Sequence, residues 1–493
     1  MSNVILIEAG EFETRVAVME EGRLAEVHLE RHTESGVVGN IYKGRVSKVI
    51  PGIQAAFVDI GLHRDAFLFA GDLSRPAPAE KEGQEGDAGR RTNHRPIAGE
   101  VEEGQELLVQ VVKEPLPGKG VRISSQISLP GRFVVLLPGA SGVGISRRIA
   151  DPLERQRLEA QLQENLPDHS GVIVRTAGAE RSIEELVKDL EPLVRTWQEL
   201  QSHAAGTEPP VLIHQEADLV RRTARDLLNR ELTELWVEGV SAHEEIERYL
   251  EEVDPSMVGR LRLQEGDELL FDRFGVDDAI ARAMRSRAWL ASGGFIVINP
   301  TEALVAIDVN SGRNTGEDEL EVTALQTNLE AAVEIARQIR LRDLGGIIVV
   351  DFIDMVEQEN RTELVATFEA ALSGDRARTQ VSQVFDFGLV AVTRKRTRGG
   401  LAQRLTEPCP CCSGEGRLKD PMAMALELDR EVKRRLAELA GKSLTVRTHP
   451  RLVEALEGEH EALLHSIRKR TGGHVELEAD DELRIEEFEI RAR

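Results

Sequence analysis

The chain has 493 residues, of which 41% are hydrophobic and 30% are charged, and its formal net charge is −24. A chain of this length exceeds the size at which one hydrophobic core stops growing, so we expect a multidomain globular protein. The acidic balance excludes general electrostatic attraction to nucleic acid or anionic membranes, so any phosphate contact must be local. Neither a membrane-spanning apolar run nor a secretory leader is recognisable, which predicts a cytoplasmic protein without a membrane segment.

The amino-terminal third has the texture of β-structure. Residues 1–35 alternate apolar and polar positions around turns, which predicts a short meander of strands. Strand-like runs within residues 36–128 are separated by Pro-Gly, Gly-Leu and Pro-Gly-Lys-Gly turns, and five short strands of this kind predict a small barrel. Residues 75–97 are rich in Pro, Gly and charge, so we expect a disordered insertion there.

The remainder alternates between α/β and helical segments. Strand-like and helix-like runs mix up to about residue 215, where "DPLERQRLEAQLQENL" opens a helix after Asp151. A mainly helical stretch is expected over 216–290, and a second α/β segment follows it. The tail after residue 420 predicts a helix and then strand, helix, strand and strand.

Three polar residues stand at the ends of two predicted strands. The strand predicted within "TEALVAIDVNSGR" has Asp308 and Asn310 at its end. These two residues share a face because strand side chains alternate. A predicted helix over 323–342 leads to the apolar strand "IIVVDFID", which carries Asp351 late in its length. Strand, helix and strand form the crossover unit of a parallel pair, so Asp308 and Asp351 are expected to meet at one edge of the sheet.

Two carboxylates at such an edge repel each other unless a proton or a cation lies between them. Hard oxygen ligands favour Mg²⁺ or Mn²⁺, which keep several waters and also bind substrate phosphates. The alternative is that Asp308 and Asn310 cap a turn while Asp351 and Asp354 pair with nearby arginines. Spacing alone does not choose between these two hypotheses.

Two phenylalanines of the predicted barrel, Phe57 and Phe67, stand out in a chain with only 4% aromatic residues, and Arg64 and Lys113 are cations close to them in the predicted strands. Aromatic and cationic side chains on a small barrel can stack bases and follow phosphates. The alternative, favoured by the residue types alone, is that both phenylalanines belong to the core.

Arg175 and Thr176 follow the apolar strand of "GVIVRTAG". A guanidinium beside a hydroxyl suits a terminal phosphate, although an ordinary solvated arginine at a strand end is the commoner case.

All three cysteines lie within four residues, in "EPCPCCSGEGR". Cys409 and Cys412 form a Cys-x-x-Cys pair, which supplies two of the four ligands of a structural Zn²⁺, so that two chains together would supply four. A dithiol redox centre is the alternative, but such centres begin a helix, and "SGEGR" follows this pair. Cys411 stands between the two and could compete as a ligand.

A basic run, "TRKRTRGG", precedes the cysteines and contains Arg394, Lys395, Arg396 and Arg398. Such runs are usually a solvated face, but this one could supply phosphate contacts in an acidic protein.

The segments "IDVNSG", "TNLEAAVEIARQIRLRDLGGIIVVDFIDM" and "TRKRTRGG" resemble, in order and spacing, the catalytic segment of the ribonuclease E/G family, and the resemblance extends over nearly the whole chain. It implies a multidomain α/β and α+β architecture, and the length resembles the shorter members of the family. The implied parts are an RNase H-like subdomain in two pieces (1–35 and 216–283), an OB-fold RNA-binding barrel (36–128), a 5′-monophosphate sensor (129–215), a DNase I-like catalytic domain (284–403), a zinc link (404–418) and a small carboxyl-terminal α/β domain (419–493).

The resemblance also implies a function and site residues. The family would use Asp308 and Asp351 to hold catalytic Mg²⁺, with Asn310 in support, and the barrel would bind RNA. The implied 5′-phosphate pocket consists of Gly131, Val135, Arg175, Thr176 and Arg378. Cys409 and Cys412 would bind Zn²⁺ shared between the protomers of a homodimer, with a tetramer as a further option.

The implied activity is Mg²⁺-dependent cleavage of single-stranded RNA, in ribosomal RNA maturation and messenger RNA decay, stimulated by a 5′-monophosphate and leaving 5′-phosphate and 3′-hydroxyl ends. Two other functions stay open. The first is a non-catalytic RNA-binding scaffold, and the second is a DNA nuclease, since a metal and two carboxylates do not read the 2′-hydroxyl.

Overall fold

The computed structural model describes residues 3–32, 36–73, 97, 99–113, 120–167, 170–228, 232–312, 320–385, 388–395, 399–412 and 414–492. The chain forms two compact units, Met1–Arg404 and Leu405–Arg493. Within the described ranges, no helix combines the length and the apolar character needed to cross a membrane.

The first sheet joins the amino terminus to the middle of the chain. Asn3–Ala9, Glu13–Glu20 and Arg23–Arg31 form the predicted antiparallel meander. Leu232–Glu238 pairs in parallel with the first of these strands, and Leu261–Leu263 follows it at the edge. Residues 216–290 are therefore less helical than predicted. Their helices are Leu219–Asp226, Val240–Val253, Leu270–Arg273 and Val276–Ala283.

The second sheet closes on itself, which confirms the predicted barrel of five strands. Ile41–Ile50 pairs with Glu106–Lys113 at the other end of the strand order, so no edge is left between them. Val211–His214 adds a sixth strand outside the closure. The five strands of the closed barrel are Ile41–Ile50, Ala55–Asp59, Ala66–Phe69, Glu106–Lys113 and Arg122–Ser124.

Ile97 corrects one boundary of the predicted insertion. Its side chain is fully buried in the barrel core, and its backbone N–H donates to the side chain of Gln54. Residue 97 is thus part of the folded barrel, whereas residues 75–96 of the predicted disordered insertion lie outside the described ranges.

A third, four-stranded sheet follows, and two helices pack on it. The helix Pro152–Gln163 begins after Asp151, as predicted, because the Asp151 carboxylate accepts the backbone N–H of Leu153. The helix Ile183–Ala205 begins with a capping box formed by Ser182 and Glu185. The strands, in spatial order, are Gly142–Ile145, Ser170–Val174, Val134–Pro138 and Leu129–Pro130.

The fourth sheet carries the predicted carboxylates. Leu304–Asn310 and Gly346–Asp351 are parallel neighbours, as the crossover pattern predicts, and the helix Leu320–Leu341 connects them. This helix and Gln358–Leu372 cover one face of the sheet, and the short helix Leu401–Leu405 follows. The strand order is Arg287–Trp289, Phe295–Pro300, Leu304–Asn310, Gly346–Asp351, Leu389–Arg394 and Thr379–Val381.

The second unit has the predicted order of elements with additional helices. Its three-stranded sheet consists of Leu444–Thr448, Val475–Ala479 and Phe488–Ala492. Its helices are Pro421–Arg434, Leu436–Leu439, Pro450–Glu457 and Glu461–Thr471. The mixed α/β, multidomain architecture is confirmed, while the division into seven parts and their RNase H-like, OB-fold and DNase I-like character stay predictions.

Candidate functional site

Asp308 and Asp351 lie side by side at the carboxyl ends of two parallel strands. The two residues are direct partners in the register of the pair. Both side chains are exposed on the face of the sheet opposite the helices, because the residues before and after Asp308 in the strand point into the core. The Nδ2 of Asn310 donates to Oδ2 of Asp308 over 2.8 Å. The structure therefore brings together all three residues that the sequence predicts for this site.

The electrostatics of the pair are unfavourable without a cation. Partial burial and the negative charges of Asp308 and Asp354 raise the pKa of Asp351 above its ordinary value. Among the described residues, no arginine or lysine forms an ion pair with Asp308, Asp351 or Asp354. The alternative in which arginines neutralise Asp351 and Asp354 therefore finds no support.

The backbone beyond Asp351 is held by a buried side chain of the crossover helix. Asn328 is fully buried, accepts the N–H of Ile353 over 3.0 Å and donates to the carbonyl of the same residue over 2.8 Å. Two turns earlier, the carboxylate of Glu321 accepts the N–H groups of Val356 and Glu357. Sequence reasoning missed both residues, although a polar asparagine within the apolar stripe of a helix was a usable signal.

The donor set fits a hard divalent cation. Mg²⁺ is usually bound by one or two carboxylates and completes its shell with waters and substrate phosphates. In the part of the chain that is described, no group of three or more His, Cys, Asp or Glu side chains could hold a metal. Asp308 and Asp351 would hold such an ion together with water and phosphate oxygens.

A row of cations and aromatic rings crosses the outside of the barrel. Phe57 and Phe67 are register partners, and their ring centroids lie 6.0 Å apart in an edge-to-face arrangement. Lys48 is the partner of Phe57 on one side, and Arg122 is the partner of Phe67 on the other. Lys113 is in turn the partner of Arg122. Neighbouring strands are therefore occupied in the order cation, aromatic, aromatic, cation and cation.

The burial of Phe57 and Phe67 bears on whether they belong to the core. Phe57 and Phe67 are half-buried, whereas their neighbours Ala56, Val58 and Leu68 are buried in the barrel core. Both rings therefore lie outside the fully buried core, and base stacking on them stays a prediction.

Further cations and rings surround this row. Arg64 is exposed in the loop before Ala66. The Arg122 guanidinium lies 5.8 Å from the centroid of the Phe69 ring and binds Asp72 over 2.7 Å. Sequence reasoning missed Lys48 and Arg122, because the bulges in the neighbouring strands hide their register.

Four of the five residues predicted for the 5′-phosphate pocket lie on the third sheet or just after the ends of its strands. Nη1 of Arg175 donates to the carbonyl of Gly131 over 2.6 Å and to Oδ1 of Asp226 over 2.7 Å. The hydroxyl of Thr176 lies 3.0 Å from that of Ser146, which follows the neighbouring parallel strand. Val135 pairs with Ile173 on the strand that leads to Arg175.

Asp226 is the unpredicted partner in this group. Burial would raise the pKa of Asp226, but the hydrogen bonds and charges of Arg225 and Arg175 outweigh it and lower that pKa. The carboxylate thus stays ionised at neutral pH, and a phosphate at Arg175 would share the guanidinium with it.

The fifth pocket residue, Arg378, directly precedes the strand Thr379–Val381 of the fourth sheet, and its carbonyl accepts the N–H of Lys395. Three residues earlier, the carbonyl of Asp375 accepts the guanidinium of Arg148, which lies on the loop after Ser146. Asp375 also binds Arg394 over 2.6 Å, and the Arg394 side chain is buried. Arg394 therefore does not form the solvated basic run expected from the sequence, and Arg396 and Arg398 lie outside the described residues.

The cysteines form a separate candidate site in the second unit. Cys409 and Cys411 are exposed, and no cysteine of the chain is in a disulfide. Hydrogen bonds from the backbones of Cys412 and Cys411 lower the pKa of the Cys409 thiol. The Sγ of Cys412 accepts the N–H of Gly416 over 3.3 Å. Thiols near donors of this kind suit a metal, and one chain offers too few ligands for a closed tetrahedral site.

Comparisons with known proteins indicate one family over nearly the whole chain. Residues 128–397 match the sequence model of the ribonuclease E/G family, and residues 408–493 match that of the thioredoxin-like domain of RNase E/G. The chain is 38% identical to Ribonuclease G of Salmonella typhimurium (strain SL1344) and of Escherichia coli (strain K12), over 490 residues and 99% of each chain. It is 35% identical to Ribonuclease E of Haemophilus influenzae over 495 residues, which cover 99% of this chain and 52% of that protein.

The raised pKa of Asp351 predicts a pH-dependent stability difference. The folded state binds the Asp351 proton more tightly than the unfolded chain, so ionisation of this group destabilises the fold as the pH rises above its ordinary pKa. With EDTA at pH 7, Asp351→Asn should melt slightly higher than wild type, because the amide carries no charge beside Asp308. The difference should shrink as the pH falls through the raised pKa of Asp351 and vanish below its ordinary pKa, where both states bind the proton.

Thermal unfolding at several pH values, with and without Mg²⁺, tests this prediction. Mg²⁺ should raise the melting temperature of wild type more than that of the variant. Asp267→Asn, which changes an exposed aspartate elsewhere, is the matched control. An equal Mg²⁺-induced shift in wild type and Asp351→Asn would contradict the metal site.

Proposed function

The chain belongs to the ribonuclease E/G family, and we propose on that premise that this endoribonuclease cleaves single-stranded RNA at Asp308 and Asp351 with the help of Mg²⁺. The observation that carries the proposal is the pair of strand-end aspartates, which are register partners and form no ion pair with an arginine or lysine among the described residues. A site of this charge recruits a divalent cation more readily than it tolerates two bare carboxylates.

Each residue has a distinct role in this proposal. Asp308 and Asp351 hold the ion, and Asn310 fixes the orientation of Asp308 through its 2.8 Å hydrogen bond. Asn328 holds the backbone that follows Asp351. When bound, the ion stabilises the charge that develops on the phosphodiester and on the leaving oxygen. The expected products carry 5′-phosphate and 3′-hydroxyl ends.

Asp351→Asn should separate cleavage from RNA binding. Loss of one of two metal ligands removes several kcal/mol of transition-state stabilisation, so kcat should fall by roughly 100-fold or more. Affinity for the same RNA should stay within about threefold. Single-turnover cleavage with Mg²⁺ and fluorescence anisotropy in EDTA measure the two quantities.

Asp267→Asn serves again as the control and should cleave like wild type. If Asp351→Asn cuts as fast as wild type, the active site lies elsewhere. If wild type binds RNA but does not cut it, the chain is the RNA-binding scaffold that the sequence left open.

For substrates, we propose ribosomal RNA precursors and messenger RNA in the cytoplasm, because family membership and the outer face of the barrel both favour RNA. Phe57 and Phe67 can stack bases, and Lys48 and Lys113 can contact phosphates on either side of them. Cleavage of DNA of the same sequence distinguishes the remaining alternative, a DNA nuclease.

We also propose that a 5′-monophosphate on the RNA stimulates cleavage by binding beside Arg175. The guanidinium is oriented by the carbonyl of Gly131 and by Asp226, and the Thr176 hydroxyl lies on the next residue. Arginine donors can serve a phosphate and a carboxylate at once, since the guanidinium has five N–H groups. Val135 and Arg378 complete the proposed pocket.

Arg175→Gln should abolish the preference for monophosphorylated RNA and leave cleavage of 5′-hydroxyl RNA unchanged. Loss of a charged hydrogen bond predicts a fall of about tenfold in the preference. The measurement is kcat/KM on the same RNA with each 5′ end. Arg195→Gln, on the exposed side of the helix Ile183–Ala205, is the control. An unchanged preference would remove Arg175 from the pocket.

Cys409 and Cys412, we propose, bind Zn²⁺ jointly with the same residues of a second chain and so form a homodimer. Support comes from the number of thiols, because two ligands from each chain complete a tetrahedral site. The expected stoichiometry is one zinc for two chains. Sedimentation velocity would also show whether such dimers pair into tetramers.

The double variant Cys409→Ser and Cys412→Ser should lose zinc and sediment as a monomer, because no complete ligand set remains. Cys411→Ser is the matched control and should keep both zinc and dimer. Metal analysis and sedimentation velocity measure the outcome. A dimer that survives the double variant contradicts the zinc link, and a monomeric Cys411→Ser identifies Cys411 as a ligand.

A further inference from the structure

An exposed tryptophan lies at the edge of the sheet that carries the aspartates. Trp289 is 63% exposed, although the chain has only three tryptophans in all. Its ring centroid lies 5.4 Å from that of Phe295, with 61° between the ring planes. Together the two rings present a large flat apolar surface on which a planar ligand can stack.

A cation accompanies the two rings. The guanidinium of Arg287 lies 4.3 Å from the centroid of Phe295 and 5.6 Å from that of Trp289. Among the described residues, no carboxylate forms an ion pair with Arg287. Arg287 and Trp289 point to the open face of the sheet, because Ala288 between them packs against the core. The three side chains, hereafter the aromatic platform, offer a stacking surface and an available positive charge.

The aromatic platform is in line with the proposed active site. Trp289 is the register partner of Phe295, and Phe295 is the partner of Asn310. Trp289 is therefore two strand spacings, roughly 10 Å, from Asn310. In the neighbouring row, Arg287 pairs with Val297 and Val297 pairs with Asp308. The platform and the carboxylates thus belong to one continuous surface.

The hairpin that carries the platform is held in place. Glu330 of the crossover helix accepts the backbone N–H groups of Ala291 and Ser292. Gly294 approaches the strand Leu304–Asn310 so closely that a Cβ atom on Gly294 would lie 2.8 Å from the carbonyl oxygen of Asn310. Because the same helix also fixes the backbone beyond Asp351, the platform is positioned relative to the aspartates before any ligand binds.

We propose that the aromatic platform binds the single-stranded RNA that flanks the scissile phosphate, with one base stacked on Trp289 and a backbone phosphate near Arg287. This inference rests on the proposed function, since it takes Asp308 and Asp351 as the place of cleavage. An aromatic surface with a cation suits single-stranded nucleic acid of any sequence, because every base has a stacking face. A contact with a second copy of this chain is the alternative, but an apolar contact of that kind does not require a positive charge without a partner beside the rings.

RNA binding in EDTA tests the platform without requiring catalysis. Trp289→Ala should weaken the affinity for a short single-stranded RNA by roughly 5- to 150-fold, whereas Trp289→Phe should retain most of it. Phe12→Ala removes another exposed aromatic ring, 72% exposed in the first sheet's hairpin, and should leave the affinity unchanged. RNA should quench the tryptophan fluorescence of wild type, and Trp289→Ala should lose that quenching.

Each remaining outcome is decisive. Unchanged affinity and quenching in Trp289→Ala would overturn the proposal, as would an equal loss of affinity in Phe12→Ala. If Trp289→Ala alters the sedimentation coefficient but not the affinity for RNA, the platform is instead a contact between chains. If Trp289→Ala weakens binding while wild type with Mg²⁺ cuts no RNA, the platform stands and the proposed catalytic function fails.

Discussion

The helix Leu320–Leu341 is the element on which the arrangement of the first unit depends. Two parallel strands cannot be joined by a tight turn, so the strands that carry Asp308 and Asp351 meet only because a crossover connects them. One side of the helix buries its apolar residues against the sheet. These residues are Ala331, Ala332, Ile335, Ala336 and Ile339.

The other side of the same helix is polar and holds the amino-terminal meander. Arg340 binds Glu26 over 2.8 Å and also pairs with Glu20, while Arg337 donates to the carbonyl of Leu24. Glu334 accepts Arg23 over 2.6 Å. Because the helix contributes to the fourth sheet and the meander at once, displacing it would disturb the pair of aspartates and the first sheet together.

The order of predicted elements and the alternation of strand side chains were sufficient to predict that Asp308 and Asp351 meet, because both depend on local sequence. The crossover unit, the shared face of Asp308 and Asn310 and the apolar strand before Asp351 are all local features. Contacts between distant segments were not predictable in this way. Asp226 meets Arg175 across 51 residues, and Lys48 faces Phe57 only because a bulge shifts the register of its strand. The phenylalanines were ambiguous for the same reason, since barrel closure decides which face is inside.

The distribution of charge indicates how an acidic chain can bind a polyanion. Many of its arginines are already neutralised inside the first unit: Arg132 and Arg181 by Asp254, Arg340 by Glu20 and Glu26, and Arg394 by Asp375 and Asp343. These guanidinium groups stabilise the fold and are not available to phosphates. Among the described residues, Lys48, Lys113 and Arg287 have no carboxylate partner. Lys48 lies beside Phe57, Arg287 lies beside Phe295, and Lys113 is the register partner of Arg122. In the proposed function, these cations and the neighbouring rings Phe57, Phe67 and Trp289 would act together, with the cations contacting phosphates and the rings stacking on bases.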